Sequence, residues 1–256
     1  MESNRRSFLK KLGATTAGLW GLSMIDKLGT AEALASGDST VVDPNKIRWG
    51  MAIDMSKCKE GCTDCIDVCH VSHNVPKFDN PKDEIKWVWK MPFKNVFPSK
   101  SHQHTQKGLL EKPFLTMCNH CEDAPCTKVC PTEATFKRKD GIVQMDFHRC
   151  IGCRFCMAGC PYGSRSFNWR DPREHIPNIT PDFPTRERGV VEKCNFCAEK
   201  IDKGEKPSCV ITCKEGVLTF GNINDPNSEI SKLLQEKRTI QRKPELGTKP
   251  STFYIV

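Results

Sequence analysis

The sequence predicts an α+β fold in which short β-hairpins and short helices pack around groups of cysteine side chains. The chain has 16 cysteines among 256 residues, far more than an ordinary enzyme of this length carries. Short alternating runs flank Asp140-Gly141, a dipeptide typical of a tight turn, so we expect a hairpin over residues 135–145. Because only 38% of the residues are hydrophobic, the fold is expected to depend partly on what the cysteines bind.

The cysteines fall into four groups of four, and none is left over. The groups are Cys58, Cys62, Cys65 and Cys69; Cys118, Cys121, Cys126 and Cys130; Cys150, Cys153, Cys156 and Cys160; and Cys194, Cys197, Cys209 and Cys213. The third group, followed by Pro161, has the C-x2-C-x2-C-x3-C-P spacing with which bacterial ferredoxins bind [4Fe–4S] clusters. Such spacing lets one loop surround most of a cubane cluster. The sequence therefore predicts four [4Fe–4S] clusters.

Other uses of these cysteines are weighed against that prediction. Crowded C-x2-C-x2-C runs have poor geometry for disulfides. The fourth group alone has spacing that also suits structural zinc. With the net charge of +8, a zinc-binding nucleic-acid module is therefore kept as a remote alternative. Covalent haem needs C-x-x-C-H, which this sequence lacks.

The N-terminal residues have the pattern of an export signal. Arg5 and Arg6 precede a modest uncharged stretch over residues 12–25, and small residues follow at 33–35. This pattern resembles a twin-arginine (Tat) signal. We expect it to direct the folded protein to the periplasmic face of the cytoplasmic membrane. No stretch approaches the roughly 20 apolar residues that span a bilayer, so a peripheral subunit without a transmembrane span is expected.

The chain is expected to contain two related ferredoxin-like 2×[4Fe–4S] modules in tandem, in a pseudo-two-fold arrangement. The segments are a signal peptide (1–35), motif I (48–77), an insertion or docking loop (78–107), motif II (108–140), motif III (141–170), motif IV (190–221) and a C-terminal extension (222–256).

The long insertion between the first and second cysteine motifs is expected to provide a docking surface. Trp87 and Trp89 alternate with Ile85, which predicts a short strand with one exposed apolar face. The alternative is a loop that packs back onto the domain. His102 and His104 are expected to be solvated loop histidines, and haem or metal ligation is the less favoured interpretation.

The order of these motifs resembles the iron–sulfur electron-transfer subunits of complex iron–sulfur molybdoenzymes, the family that includes NrfC-, PsrB- and DmsB-like proteins. The matching pieces are Met117-Cys118-Asn119-His120-Cys121, Ala124-Pro125-Cys126, Lys193-Cys194-Asn195-Phe196-Cys197, Gly204 and Pro207-Ser208-Cys209. Residues 246–251 resemble the tail of the nitrite-reductase-associated members. Residues 70–76 and 85–89 look most like the DsrO-like subunits linked to dissimilatory sulfur metabolism.

The resemblance implies an electron-transfer subunit of an oxidoreductase complex, with no catalytic site of its own. It implies an NrfD-type membrane subunit that interacts with quinone as one partner, and a multihaem cytochrome c subunit as the other. A molybdopterin catalytic subunit, as in polysulfide, thiosulfate or DMSO reductases, is the alternative second partner. A self-contained reductase is a further alternative, although all sixteen thiols are expected to be ligands and no free cysteine nucleophile remains.

The resemblance also implies which cysteines share a cluster. Cluster 1 would use Cys58, Cys62, Cys65 and Cys213; cluster 2 Cys118, Cys121, Cys126 and Cys160; cluster 3 Cys150, Cys153, Cys156 and Cys130; and cluster 4 Cys194, Cys197, Cys209 and Cys69. The sequence departs from the family pattern at two places, both on the first and fourth motifs. Three residues separate Cys58 from Cys62 where two are usual, and Lys214 replaces a proline after Cys213. We expect Lys214 to raise the potential of cluster 1, because it adds a cation and an N–H group.

Overall fold

The computed structural model describes residues 46–106 and 108–256. The predicted signal segment, with Arg5 and Arg6, lies outside the described residues. Within the described ranges, none of the helices has the length and apolar character needed to cross a membrane.

The structure mixes short helices with short strands. The strands are β1 (Trp49–Ile53), β2 (Val88–Pro92), β3 (Pro113–Met117), β4 (Thr135–Lys137), β5 (Val143–Met145), β6 (Ser166–Phe167), β7 (Val191–Glu192), β8 (Leu218–Asn222), β9 (Thr239–Ile240) and β10 (Thr252–Ile255). The helices are α1 (Asp64–Ser72), α2 (Phe93–Val96), α3 (Pro125–Lys128), α4 (Phe155–Ala158), α5 (Ala198–Ile201), α6 (Ser208–Thr212) and α7 (Glu229–Glu236). Single 3-10 turns occur at Pro81–Asp83, Pro98–Lys100, Arg173–His175 and Pro244–Leu246.

The largest sheet joins the beginning and the end of the described chain. Its strand order is β8-β1-β10-β9. Strand β1 pairs antiparallel with β8 and parallel with β10, with Met51 opposite Thr252. Met51, Ala52 and Ile53 are buried, so β1 is the central strand of the main hydrophobic core. The C-terminal extension is therefore part of the fold, not an appendage.

In the described ranges, three two-stranded antiparallel sheets accompany the main sheet: β2–β3, β4–β5 and β6–β7. The hairpin predicted around Asp140-Gly141 is confirmed, with Thr135 opposite Met145 and Lys137 opposite Val143. Gly141 has φ 86°, a left-handed conformation that suits the residue without a Cβ atom. The predicted pseudo-two-fold relation between the halves stays a prediction.

The insertion contradicts one expectation. Ile85, Trp87 and Trp89 are only 2%, 1% and 8% exposed, so the predicted exposed apolar face is wrong. The alternative, a segment that packs back onto the domain, is confirmed. Trp87 stacks on His73, with ring centroids 4.6 Å apart, and its indole N–H donates to Glu192 at 2.9 Å. Alternation in the sequence marked a strand with a buried side, but it carried no information about what covers the other side.

Candidate iron–sulfur cluster sites

The first site lies where the first cysteine motif meets the end of α6. Cys58, Cys62, Cys65 and Cys213 all line one cavity. Burial, followed by the nearby Cys213 and Cys58 thiolates, raises the pKa of Cys65 to about 11. The ammonium group of Lys90 opposes this shift and donates to the Cys62 carbonyl at 2.5 Å. These four cysteines are the set assigned to cluster 1.

The second site is built from α1, α6 and the loop that enters α5. Cys69, Cys194, Cys197 and Cys209 are all buried there. Burial raises the pKa of Cys69 well above its usual range, and the nearby Cys194, Cys209 and Cys197 thiolates add to the effect. Phe196 and Cys197 adopt φ values of 58° and 52°, and this left-handed turn lets the Phe196 N–H donate to the Cys194 sulfur at 3.5 Å. This set is the one assigned to cluster 4.

The third and fourth sites lie side by side around α3 and α4. One small cavity is lined by Cys118, Cys121, Cys126 and Cys160, the set assigned to cluster 2. A neighbouring cavity is lined by Cys130, Cys150, Cys153 and Cys156, the set assigned to cluster 3. The last cysteine of each motif thus lies with the first three cysteines of the other motif.

Residues of the C-terminal extension close over the cluster 2 site. The Tyr162 and Thr248 hydroxyls lie 2.5 Å apart. Burial raises the pKa of Cys121 to about 12, and a hydrogen bond from the Thr248 side chain opposes that rise. The main chain of the extension also accepts hydrogen bonds from Glu122 N and Asp123 N. The extension therefore supplies a donor to a candidate ligand as well as a cover.

The donor set fits [4Fe–4S] clusters. All sixteen thiols are free of disulfides, and each of the four places brings together four of them. Four adjacent thiolates repel one another, and burial favours the protonated thiols, as the raised pKa of Cys194 (about 12) shows. Bound iron reverses this preference, because metal binding displaces the protons and compensates the thiolate charge. Cluster assembly and folding are therefore coupled.

Each of the four sites has another beside it. Cys65 and Cys69, from the cluster 1 and cluster 4 sets, lie one turn apart on α1. Cys118 and Cys194, from the cluster 2 and cluster 4 sets, belong to one buried group of side chains, and the sets of clusters 2 and 3 meet around α3 and α4. We call this succession of neighbouring sites, cluster 1, cluster 4, cluster 2 and cluster 3, the row.

Burial varies along this row in a regular way. At the two ends, the partly exposed cysteines are Cys58, Cys62 and Cys213 for cluster 1, and Cys130, Cys150 and Cys153 for cluster 3. In the middle, all four cysteines of cluster 4 are buried, and so are three of the four for cluster 2. The inner sites are thus insulated from water, whereas both terminal sites approach the surface.

Buried cations, which the cysteine spacing does not predict, accompany the cysteines. Lys193 is buried, and its ammonium donates to the carbonyls of Val143 and Cys194, while the Cys118 thiolate counteracts the lowering of its pKa by burial. Arg165 is also buried and donates to Cys126 Sγ at 3.1 Å. A hint was present, since Lys193 directly precedes Cys194 and Arg165 follows the Cys160-Pro161 step. These cations explain part of the +8 net charge as internal compensation for anionic clusters.

His73 forms polar contacts with Glu199 and Cys69 beside the cluster 4 site. Its Nε2 lies 2.9 Å from Glu199 Oε1, and its Nδ1 lies 3.0 Å from the Cys69 carbonyl. Burial lowers its pKa, but hydrogen bonds with Cys197 and Glu199 outweigh that and raise the pKa to about 9. The imidazolium therefore adds a further cation near this site.

The remaining candidate residues lie apart from the sites or at their edge. Lys214 is exposed and lines the cavity of cluster 1. His102 and His104 are exposed, as expected of solvated loop residues, with ring centroids 6.3 Å apart. Over the described ranges, neither belongs to a group of three side chains that could hold a metal ion.

Two ferredoxin-type units, each with two four-cysteine sites, define an electron-carrying iron–sulfur protein. The family model for a 4Fe–4S dicluster domain matches residues 112–176 and 168–223. The protein therefore carries four [4Fe–4S] clusters.

Similar proteins that match most of the chain show to which family of iron–sulfur proteins it belongs. The chain is 40% identical to the Hdr-like menaquinol oxidoreductase iron–sulfur subunit 1 of Archaeoglobus fulgidus, over 98% of this chain and 97% of that protein. It is 36% identical to the menaquinone reductase iron–sulfur cluster-binding subunit of Nitratidesulfovibrio vulgaris, over 82% and 89%. Protein NrfC of Escherichia coli is 34% identical over 100% and 96%. The chain belongs to this family of iron–sulfur electron-transfer subunits, which work within oxidoreductase complexes.

Proposed function

We propose that the protein is an exported electron relay that connects an NrfD-type quinone-interacting membrane subunit with a multihaem cytochrome c subunit, in a Dsr-type sulfur-metabolism complex. The observation that carries the proposal is the row of four cysteine sites with buried middle members and partly exposed ends. A relay needs surface access at two places only, and an insulated interior between them.

The ligand sets for this relay are those assigned above to clusters 1 to 4. A bound [4Fe–4S] cluster supplies one-electron oxidation and reduction, at a potential set by ligand hydrogen bonds, burial and charge. The polypeptide holds clusters 1 and 4 next to each other, because α1 contributes Cys65 to cluster 1 and Cys69 to cluster 4. It also excludes water from the two inner sites and supplies Lys193 and Arg165 as compensating cations.

The end of the row at cluster 3 supports docking of the membrane subunit. Ile151 and Phe155, which lie within the ligand loop, are 67% and 59% exposed. Exposed apolar side chains of this size, directly beside the candidate ligands, favour an apolar partner surface. Two of the relatives described above are named for menaquinol or menaquinone chemistry, which supports a quinone-interacting partner. We assign the second partner to the cluster 1 end.

The docking assignment is tested with one substitution at the cluster 3 end. Ile151→Glu should release the membrane subunit from the affinity-purified native complex, because a buried unpaired carboxylate is costly at an interface. Ile179→Glu is the matched control, since Ile179 is 56% exposed and contributes to none of the three cavities that the cysteines line. Retention of the membrane subunit by Ile151→Glu would contradict the assignment.

The identity of the second partner is tested on the same affinity-purified complex. We expect a multihaem cytochrome c to co-purify, and a molybdopterin subunit in its place would overturn the Dsr-type proposal.

The export route is tested separately. Replacing Arg5 and Arg6 with lysine should leave cluster-loaded protein in the cytoplasm. Normal export of that variant would remove the Tat proposal.

A further inference from the structure

Arg165 lies between the cluster 2 and cluster 3 sites. The residue is 5% exposed, and its Nη2 donates to Cys126 Sγ at 3.1 Å. The guanidinium charge also lies near enough to Cys156 to lower its pKa, as it lowers that of Cys126, in both cases against the larger effect of burial. Cys126 belongs to the cluster 2 set and Cys156 to the cluster 3 set. One guanidinium group therefore contacts a candidate ligand of cluster 2 and lies near a candidate ligand of cluster 3.

Neutral groups hold the guanidinium in this position. Nη2 donates to Thr135 Oγ1 at 2.6 Å, while that hydroxyl donates to the Gln144 carbonyl at 3.1 Å. Nη1 lies 3.1 Å from Met145 Sδ. The hairpin β4–β5 thus orients Arg165 without neutralising it.

In the described part of the chain, no carboxylate forms an ion pair with Arg165. Arg186, which is also deeply buried, differs in this respect. Arg186 has Glu192 as its anion, with Nη2 and Oε2 2.5 Å apart and both side chains fully buried. A buried cation without a counterion is costly. The sulfurs of the two sites are the anionic groups that act on Arg165, so its charge is compensated when those sulfurs are thiolates.

We propose that Arg165 is a positioning residue that sets the reduction potentials of clusters 2 and 3 together. This inference rests on the ligand sets assigned under the proposed function. Reduction adds one negative charge to a cluster, and a fixed cation with a hydrogen bond to a ligand sulfur stabilises the reduced form. Because the same guanidinium acts on both sites, its removal lowers both potentials in the same direction.

The test is a redox titration of the anaerobically purified, cluster-loaded protein, followed by EPR. Arg165→Met should lower the equilibrium constant for one-electron reduction of each of the two clusters by about tenfold or more. This corresponds to a fall of about 59 mV in each midpoint potential. Arg165→Lys keeps the charge but not the guanidinium hydrogen bonds, so a smaller shift is expected in both. Thr135→Val keeps the guanidinium and removes its anchor, and should also lower both potentials. Arg173→Met is the matched control, since Arg173 pairs with Asp171 at the surface.

Each outcome decides the proposal. Signals of clusters 2 and 3 are assigned beforehand by their loss in Cys126→Ser and Cys156→Ser. If these two variants abolish the same signal, the ligand assignment fails, irrespective of Arg165. If they abolish different signals but Arg165→Met and Thr135→Val shift only one potential, or neither, the shared-cation proposal is overturned. If Arg165→Met loses its clusters, Arg165→Lys and Thr135→Val still decide the question.

Discussion

Glu192 anchors the insertion to the cluster domain, and its replacement should destabilise the whole protein. Its carboxylate is fully buried and accepts hydrogen bonds from Trp87 Nε1 at 2.9 Å and Asn168 Nδ2 at 2.6 Å, in addition to the ion pair with Arg186. Glu192→Gln keeps the shape but removes the charge and turns an amide NH₂ toward donors. Arg186 would then be a buried cation without an anion.

Breaking a buried pair by removing one partner typically costs about 3–5 kcal/mol. We expect the lower end, about 3 kcal/mol, because Arg186 retains carbonyl partners at His73, Pro184 and Asn74. If this interaction is lost in the unfolding transition state, unfolding accelerates by about 150-fold. The assay is the rate at which cluster absorbance disappears in guanidinium chloride under anaerobic conditions.

The control is an ion pair between the insertion and the segment that follows it. Glu111 pairs with Lys94 on the surface, both side chains being well exposed, and such pairs contribute about 0–1 kcal/mol. Glu111→Gln should therefore accelerate unfolding by less than about fivefold. If Glu192→Gln behaved like Glu111→Gln, the anchoring role of Glu192 would be refuted.

Two further predictions concern potentials. Lys214→Pro should lower the midpoint potential of cluster 1, because it removes a cation and an N–H group beside Cys213. Lys214→Met removes the cation but keeps the N–H group, so it measures the contribution of the charge. An unchanged or raised potential in both variants would refute the expectation. Thr248→Val should lower the potential of cluster 2 alone, since the hydroxyl that hydrogen-bonds Cys121 is lost; an equal shift in cluster 4 would indicate a general change in the fold.

Local chemistry of the candidate sites was readable from the sequence, and the long-range contacts were not. Cysteine spacing is a local property, so the four groups and the hairpin at Asp140-Gly141 followed directly from it. The positions of Arg165 and Lys193 depend on how distant loops meet. Apart from the position of Lys193 directly before Cys194, nothing in the sequence distinguishes this buried lysine from the many lysines on the surface.

The main sheet shows the same limit. Its parallel pair joins β1 to β10, which lie about 200 residues apart in the chain. Residues 222–256 gave no pattern that predicted such a partner. The burial of Trp87 likewise depends on Phe183 and Glu192, which come from segments far along the chain.

The sharing of cysteines between motifs is the central claim, and serine substitution followed by EPR tests it most directly. Cys58→Ser and Cys213→Ser should remove or alter one common signal, because both cysteines line the cluster 1 cavity. Cys69→Ser should alter a different signal, the one affected by Cys194→Ser, and each variant should lose about a quarter of the iron. If Cys58→Ser and Cys69→Ser altered the same signal and left that of Cys194→Ser intact, each motif would bind its own cluster, and the row of four shared sites would be contradicted.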